Sequence, residues 1–204
     1  MKEFWSELAT KASWEKLKEI SREFDFILIG GWAAYLWTKA HKSRDIDIAI
    51  DYETLEKISK KYQLAKNERL KKYEIKLADF DIDIYLPFFS ELGLPVEGLK
   101  EHSSVIEGIK TVTPEALLIL KQSAEIERRG STKGRKDLID ILTILVYAPF
   151  DMKRYRTILK KYNKNNYEAE LKTEINLLSE KDLDFIGLNQ HSFAQWKKKF
   201  MKKI

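Results

Sequence analysis

Residues 26–37 read FILIGGWAAYLW, and residues 43–50 read SRDIDIAI. Phe26 to Ile29 is a short, continuous apolar run ended by glycine, the pattern of a buried strand. Gly30-Gly31 breaks it, and Trp32 to Ala40 reads as a helix. In the second stretch Ile46, Ile48 and Ile50 alternate with Asp45 and Asp47. Successive side chains of a strand point to opposite faces, so the isoleucines turn to a core and both carboxylates emerge together on the other side. Residues 80–86, FDIDIYL, repeat the device, with Ile82 and Ile84 behind Asp81 and Asp83. Aspartate is disfavoured in strands, so four of them cost stability unless something compensates. If the two strands are neighbours, the carboxylates converge. Their repulsion then raises some pKa values unless a divalent cation lies between them. Oxygen-only ligation suits Mg²⁺ or Mn²⁺. A solvated sheet face, with aspartate as its polar half, is the alternative. The repetition and the glycine turn favour a site.

The turn adds to the argument. A tight strand-to-helix connection lets backbone N–H groups point at an anion, and the helix N-terminus favours negative charge. Triphosphate is the natural guest where divalent metals are also expected.

Outward from this centre, residues 2–24 carry apolar side chains at helical spacing, including Phe4, Trp5, Leu8, Ala12, Leu17, Ile20 and Phe24. Asp51-Tyr52-Glu53 starts a helix reaching about Tyr62. Residues 73–77, YEIKL, pair with 80–86 through Ala78-Asp79 as a hairpin, which Pro87 ends. Residues 88–104 read as loop, and Val105 to Val112, broken by Gly108, as a hairpin or edge. Thr113-Pro114-Glu115 has the form of a helix start, with Thr113 as N-cap. That helix runs to about Arg129. Residues 130–134 read as a flexible link. Further helices are expected over 135–147, 151–162, 167–179 and 190–203. The fold class is therefore α+β, a mixed sheet with flanking helices followed by a C-terminal helical bundle. The expected domains are 1–112 and 113–204.

Composition excludes several classes. The 204 residues contain no cysteine, which removes disulfides, iron–sulfur clusters and thiolate zinc. Three scattered histidines, His41, His102 and His191, offer no metal or triad arrangement. The sequence holds no apolar run long enough to span a membrane and begins without a signal-peptide stretch, so a soluble cytoplasmic protein is expected. The Asp45–Asp51 segment lacks the glycine of an EF-hand loop. The five tryptophans read as core residues. The net charge of +5 is uneven: residues 151–204 carry +6 and residues 1–150 carry −1. Lys153, Arg154, Arg156, Lys160, Lys161 and Lys164 form one basic stretch, and Lys197, Lys198, Lys199, Lys202 and Lys203 another. Tyr155, Tyr162, Trp196 and Phe200 are interleaved. The pattern fits either an RNA-binding surface with aromatics that stack on bases or a solvated helix face.

The order of strand, Gly-Gly, helix, D-x-D strand and second acidic strand resembles the nucleotidyltransferase superfamily, whose core is related to that of DNA polymerase β. The resemblance covers about residues 24–90. Lys121, Ala124 and Arg128, followed by Asp137 and Asp140, are similar to the K-x-x-A-x-x-x-R and D-x-x-D segments of its AbiEii-type branch. That branch includes type IV toxin nucleotidyltransferases of toxin–antitoxin pairs. His41 stands where the branch often has arginine. The resemblance implies two Mg²⁺ or Mn²⁺ ions held by Asp45, Asp47 and a third acid, Asp83 in preference to Asp81. It implies an NTP gripped by Gly30, Gly31, Ser43 and Arg44, with Lys121 and Arg128 as further phosphate-binding cations. Asp81, Asp137 and Asp140 remain candidates. The activity implied is transfer of an NMP from an NTP to a hydroxyl acceptor, with RNA or tRNA as the expected class. A non-catalytic nucleotide- or RNA-binding module of the same fold is the alternative.

Overall fold

The computed structural model describes residues 4–204. Ser6 caps the first helix by accepting a hydrogen bond from the Ala9 N–H, and α1 spans Glu7–Ser21. It is shorter than the 2–24 periodicity suggested, and residues 2 and 3 lie outside the described residues. β1 (Ile27–Ile29) leads directly into α2 (Gly30–Thr38), so the two glycines belong to the helix's first turn. β2 (Ile46–Ala49) and α3 (Tyr52–Ser59) follow, with Asp51 capping α3 through the Thr54 N–H.

β3 (Ala65–Asn67) was not expected from the sequence. Its three residues are Ala-Lys-Asn, with no alternation to read, and it exists by pairing with β4 (Lys72–Lys76). β5 (Asp81–Tyr85) forms the expected hairpin with β4. Within the expected 88–104 loop, residues Val96–His102 form a 3₁₀ helix. β6 (Ser103–Ile106) and β7 (Ile109–Val112) are the expected hairpin, turning through Glu107 and Gly108, both at positive φ.

Among the described residues, these strands make one seven-stranded mixed sheet in the order β3-β4-β5-β2-β1-β7-β6. β2 runs parallel to β5 and antiparallel to β1.

The C-terminal helices are α4 (Pro114–Arg128), α5 (Thr132–Tyr147), α6 (Met152–Lys161), α7 (Tyr167–Leu177), α8 (Glu180–Ile186) and α9 (Gln190–Phe200). Thr113 caps α4 as its sequence predicts. The expected flexible link at 130–134 is instead a tight turn. Ser131 caps α5 through the Gly134 N–H, and a Cβ on Gly134 would stand 2.3 Å from the Arg128 carbonyl oxygen. α8 was missed because a seven-residue helix offers barely two turns of periodicity.

Ile46, Ile48, Ile82 and Ile84 are almost wholly buried, as alternation requires. Burying each contributes about 1.5–3 kcal/mol, which offsets the cost of aspartate at the intervening positions. They share one apolar core with Trp32 and Ala33 of α2, Ala116 to Ile119 of α4 and Tyr155 of α6. Trp32 also ties α2 to α1, its indole N–H donating to Ser13 Oγ at 2.7 Å. No helix among the described residues is long and apolar enough to cross a membrane.

Candidate active site

The two D-x-D strands are neighbours in register. Asp47 on β2 stands opposite Asp83 on β5, and Asp83 stands opposite Glu74 on β4. Three adjacent strands thus carry a lateral row of carboxylates. The fourth strand of the row, β1, contributes Ile29 opposite Asp47, and the chain turns immediately into Gly30-Gly31. Glu74 was not singled out from the sequence. Counting back through the β4–β5 hairpin from Ala78-Asp79 puts it opposite Asp83, so hairpin register was the available signal.

Each acid except Asp47 is held by a cation of the chain. Lys72 Nζ lies 2.6 Å from Asp83 Oδ2 and 2.9 Å from Glu74 Oε1. Lys76 reaches Glu74 at 3.1 Å and Asp81 at 2.8 Å. Arg44 donates to both oxygens of Asp45, and the Asp81 backbone N–H donates to Asp45 Oδ1 at 3.3 Å. Asp47 is approached by the Tyr85 hydroxyl at 3.4 Å.

The charges respond accordingly. Burial pushes Asp47 up to about 7, helped by Asp83 and opposed by Lys121 and Lys136. Burial also raises Asp83, against the pull of Lys72. Glu74 is less deeply desolvated, and Lys72, Lys76 and Asn67 outweigh the effect of burial and bring the group down to about 2.

As they stand, no three His, Cys, Asp or Glu groups among the described residues are gathered to hold a metal ion. Asp47 and Asp83 nonetheless fit a hard divalent cation. They are oxygen donors in adjacent register, and Asp83 Oδ1 is buried with no hydrogen-bond partner. Asp45 joins them only by turning from Arg44, which now occupies both its oxygens.

The glycine turn is built against this row. Gly30 has φ +69°, and a Cβ there would fall 2.1 Å from Asp47 Oδ2. A Cβ on Gly31 would fall 2.5 Å from Ser43 Oγ. Ser43 donates to the Asp45 carbonyl at 3.1 Å, which orients the approach to β2. Ile29, the N-cap residue of α2, makes no side-chain capping bond, so no cap of that kind takes up the N–H groups of the first turn.

A second charged cluster lies on α4 and α5. Lys121 Nζ is 3.2 Å from Asp137 Oδ1 and 2.6 Å from Asp140 Oδ2, all three groups being buried. Arg128 donates through Nε to Asp137 Oδ2 at 2.6 Å. Burial alone would lower the Lys121 pKa, but Asp140 and Asp137 raise it, and Lys121 in turn holds Asp140 below the ordinary carboxylate range despite burial. The ammonium also acts on Asp47. Lys121 and Arg128 of α4 are therefore bound to carboxylates of the neighbouring α5.

The cation left over is Lys136, which the sequence reading passed over. Its Nζ comes 3.4 Å from the point a Gly31 Cβ would occupy. Burial lowers its pKa, with Lys121 adding to the effect against Asp140, Asp137 and Asp47. Its place directly before Asp137 was the only sequence signal.

In the basic C-terminal segments the structure separates the interleaved rings from the lysines in part. Tyr155 is fully buried, its hydroxyl donating to Gln122 Oε1 at 2.5 Å. Trp196 stacks on Phe200 at 4.9 Å and pairs with Phe193. Tyr155 and Phe200 are core residues, while Phe193, Trp196 and Tyr162 are partly buried against the core. Arg156 pairs with Glu168, and Lys161 with Glu101. Lys198, Lys199, Lys202 and Lys203 are exposed.

No protein-family model matches the chain, and no curated protein matches it. Solved structures do. JHP933 from Helicobacter pylori aligns with a TM-score of 0.50 and 15% identity, over 98% of this chain and 97% of that one. The Megavirus polyadenylate synthase aligns at 0.49 and 16%, over 70% of this chain and 32% of that one. An antigenic nucleotidyltransferase-like protein from Paracoccidioides brasiliensis aligns at 0.41 and 17%, over 82% and 91%. At such identities the likeness bears on the fold alone, an α+β architecture with a mixed sheet and C-terminal helices, as the sequence predicts.

Proposed function

We propose that the chain is a metal-dependent nucleotidyltransferase that moves an NMP from an NTP to a hydroxyl acceptor. The observation that carries this reading is the register of Asp47 against Asp83 beside a glycine turn that admits no side chain. A solvated sheet face would need neither the buried, partnerless Asp83 Oδ1 nor the contact of Gly30 with Asp47.

In this reading Asp45, Asp47 and Asp83 hold Mg²⁺ or Mn²⁺, and the backbone N–H groups at Gly30 and Gly31 with Ser43 hold the triphosphate. Bound divalent ions would lower the pKa of the acceptor hydroxyl and neutralise charge on the leaving group. The acceptor oxygen attacks the α-phosphorus. The bond from that phosphorus to the β-bridging oxygen breaks, and pyrophosphate leaves. The hydroxyl proton passes to Asp83 as general base. Lys72 orients Asp83 through its other oxygen. Lys121, anchored by Asp137 and Asp140, contributes fixed positive charge behind Asp47.

RNA, with tRNA as the favoured class, is the proposed acceptor, on the strength of the +6 charge in residues 151–204. A second reading is a nucleotide-binding module without turnover. The ion pairing of Asp45, Asp81 and Asp83 within the chain favours it. Labelled NTPs incubated with total RNA and total protein separate the two. Label transfer abolished by Asp45→Ala with Asp47→Ala supports the enzyme. Nucleotide binding without transfer to any acceptor supports the module.

A further inference from the structure

Two hydrogen-bond donors at the glycine turn find no acceptor among the described residues. Trp5 Nε1 is buried without a partner. Lys136 Nζ makes no hydrogen bond or ion pair among the described residues, and it lies over the Trp5 ring, 5.6 Å from the centroid. The neighbouring cations differ: Lys121 and Arg135 are both bound to buried carboxylates. Arg44 lies against the same indole, its guanidinium carbon 4.9 Å from the centroid, while its N–H groups serve Asp45. Trp5 is thus a wall residue between two cations, which distinguishes it from Trp32 in the core.

An indole N–H and an ammonium are donors only. A buried donor is normally paired, and here an unmet, buried indole N–H lies beside a half-buried, unpaired ammonium, a combination suited to a group that brings acceptors and negative charge. The geometry of the turn orders the groups. Gly30 touches Asp47, Gly31 touches Ser43, Lys136 stands beyond Gly31, and Trp5 covers Lys136. A chain of phosphates whose α-phosphorus lies at the carboxylate row and which runs along this order ends at Lys136 and Trp5.

We propose that Trp5 and Lys136 form the subsite for the terminal phosphate of the bound nucleotide, which makes the site select triphosphates over diphosphates. Its role in catalysis rests on the transfer reading above; the anion site itself does not. The indole supplies one hydrogen bond and shields the ammonium from water, and Lys136 supplies the charge.

The test uses the full chain with Trp5→Phe, which keeps a ring and removes the N–H, and Lys136→Gln. Calorimetry with Mg²⁺ measures binding of ATP, ADP and inorganic tripolyphosphate, and circular dichroism with a melting curve verifies folding. The unmodified chain is expected to prefer ATP over ADP. Trp5→Phe is expected to weaken ATP and tripolyphosphate about fivefold, and Lys136→Gln more, with ADP changed little. Equal losses for ATP and ADP, no loss in either folded variant, or no binding of tripolyphosphate and ATP by the unmodified chain each overturns the subsite. Tripolyphosphate binding that depends on Trp5 in a chain that labels no acceptor keeps the subsite and removes the transfer reading. Label transfer and nucleotide affinity both indifferent to Trp5→Phe do the reverse.

Discussion

Asp47 and Asp83 stand directly opposite each other on parallel neighbouring strands, and they are supported unequally. Lys72 holds one oxygen of Asp83, whereas Asp47 has no ion-pair partner among the described residues, only the Tyr85 hydroxyl at 3.4 Å. If Asp83 accepts the proton, Lys72 sets its basicity. Lys72→Met is then expected to raise the Asp83 pKa and shift the acid limb of the pH–rate profile for label transfer upward. Asp83→Asn is expected to lower the rate by about 10²–10⁴. A profile unmoved by Lys72→Met would remove Lys72 from that role.

Gly30 is constrained twice, by φ +69° and by the 2.1 Å approach of its missing Cβ to Asp47 Oδ2. Gly30→Ala therefore strains the backbone and displaces a site carboxylate. The expected cost is about 1–3 kcal/mol in urea unfolding, with label transfer lost. Gly108→Ala is the control, since its φ of +80° is similar but no atom lies within 4 Å of its Cβ position. It should carry the strain and leave transfer intact.

Glu174 offers a pH test separate from the site. It is fully buried in α7, receives the Gln122 side-chain amide at 3.0 Å, and leaves its Oε1 without a partner. Burial is the main cause that raises it to about 8; Glu125 and Glu170 add to the rise, and Gln122 and Arg129 oppose it. A carboxyl raised on folding binds its proton more tightly in the native state. Its contribution is fully present below the unfolded pKa, and it is lost as pH rises from about 4.5 through about 8. Each unit of difference is worth about 1.4 kcal/mol, so a loss on the order of a few kcal/mol is expected. Glu174→Gln should flatten unfolding free energy between pH 5 and about pH 8. An unchanged slope would show that Glu174 is ionised in the native protein. The raised Asp47 acts in the same direction, which leaves a residual slope in the variant.

What was legible in the sequence was local. Alternation in 43–50 and 80–86 puts isoleucine and aspartate on opposite faces, and the Thr113-Pro114 cap marks the start of α4, because each signal lies within a few residues. What required the fold was partnership. Ala65–Asn67 becomes a strand only beside β4, Glu74 enters the site only through hairpin register, and Trp5 meets Lys136 across 131 positions of sequence. Lys121 and Arg128 share a helix face, as their spacing predicts, but only the packing of α5 reveals that Asp137 and Asp140 engage them. The place of the tail's interleaved aromatics was open in the sequence for the same reason. Rings at helical spacing beside lysines look alike in sequence whether they face solvent or, like Tyr155 and Phe200, the core.

The terminal cations give the last prediction. With Tyr155 and Phe200 in the core and four lysines exposed, electrostatics is the main contribution expected of any RNA contact there. Such binding releases counterions, so its affinity falls with salt by a log–log slope of about −0.7 to −0.9 for each phosphate neutralised. Four to six contacts would lose on the order of 10²–10³ in affinity between about 50 and 200 mM salt. Lys198, Lys199, Lys202 and Lys203 are exposed, and Lys197 is half-buried beside the Phe193 ring. Changing all five to glutamine keeps their polarity and removes the charge. tRNA binding by the full chain should then show a shallower salt slope in the variant than in the unmodified protein, by up to about four units if every exposed lysine meets a phosphate. The fold should be indifferent, because none of the five holds an ion pair among the described residues. Equal slopes in the two proteins would place the RNA contacts elsewhere, with the α6 cations Lys153, Arg154 and Lys160 the next to change. A flat response in both would argue against a polyanionic acceptor altogether.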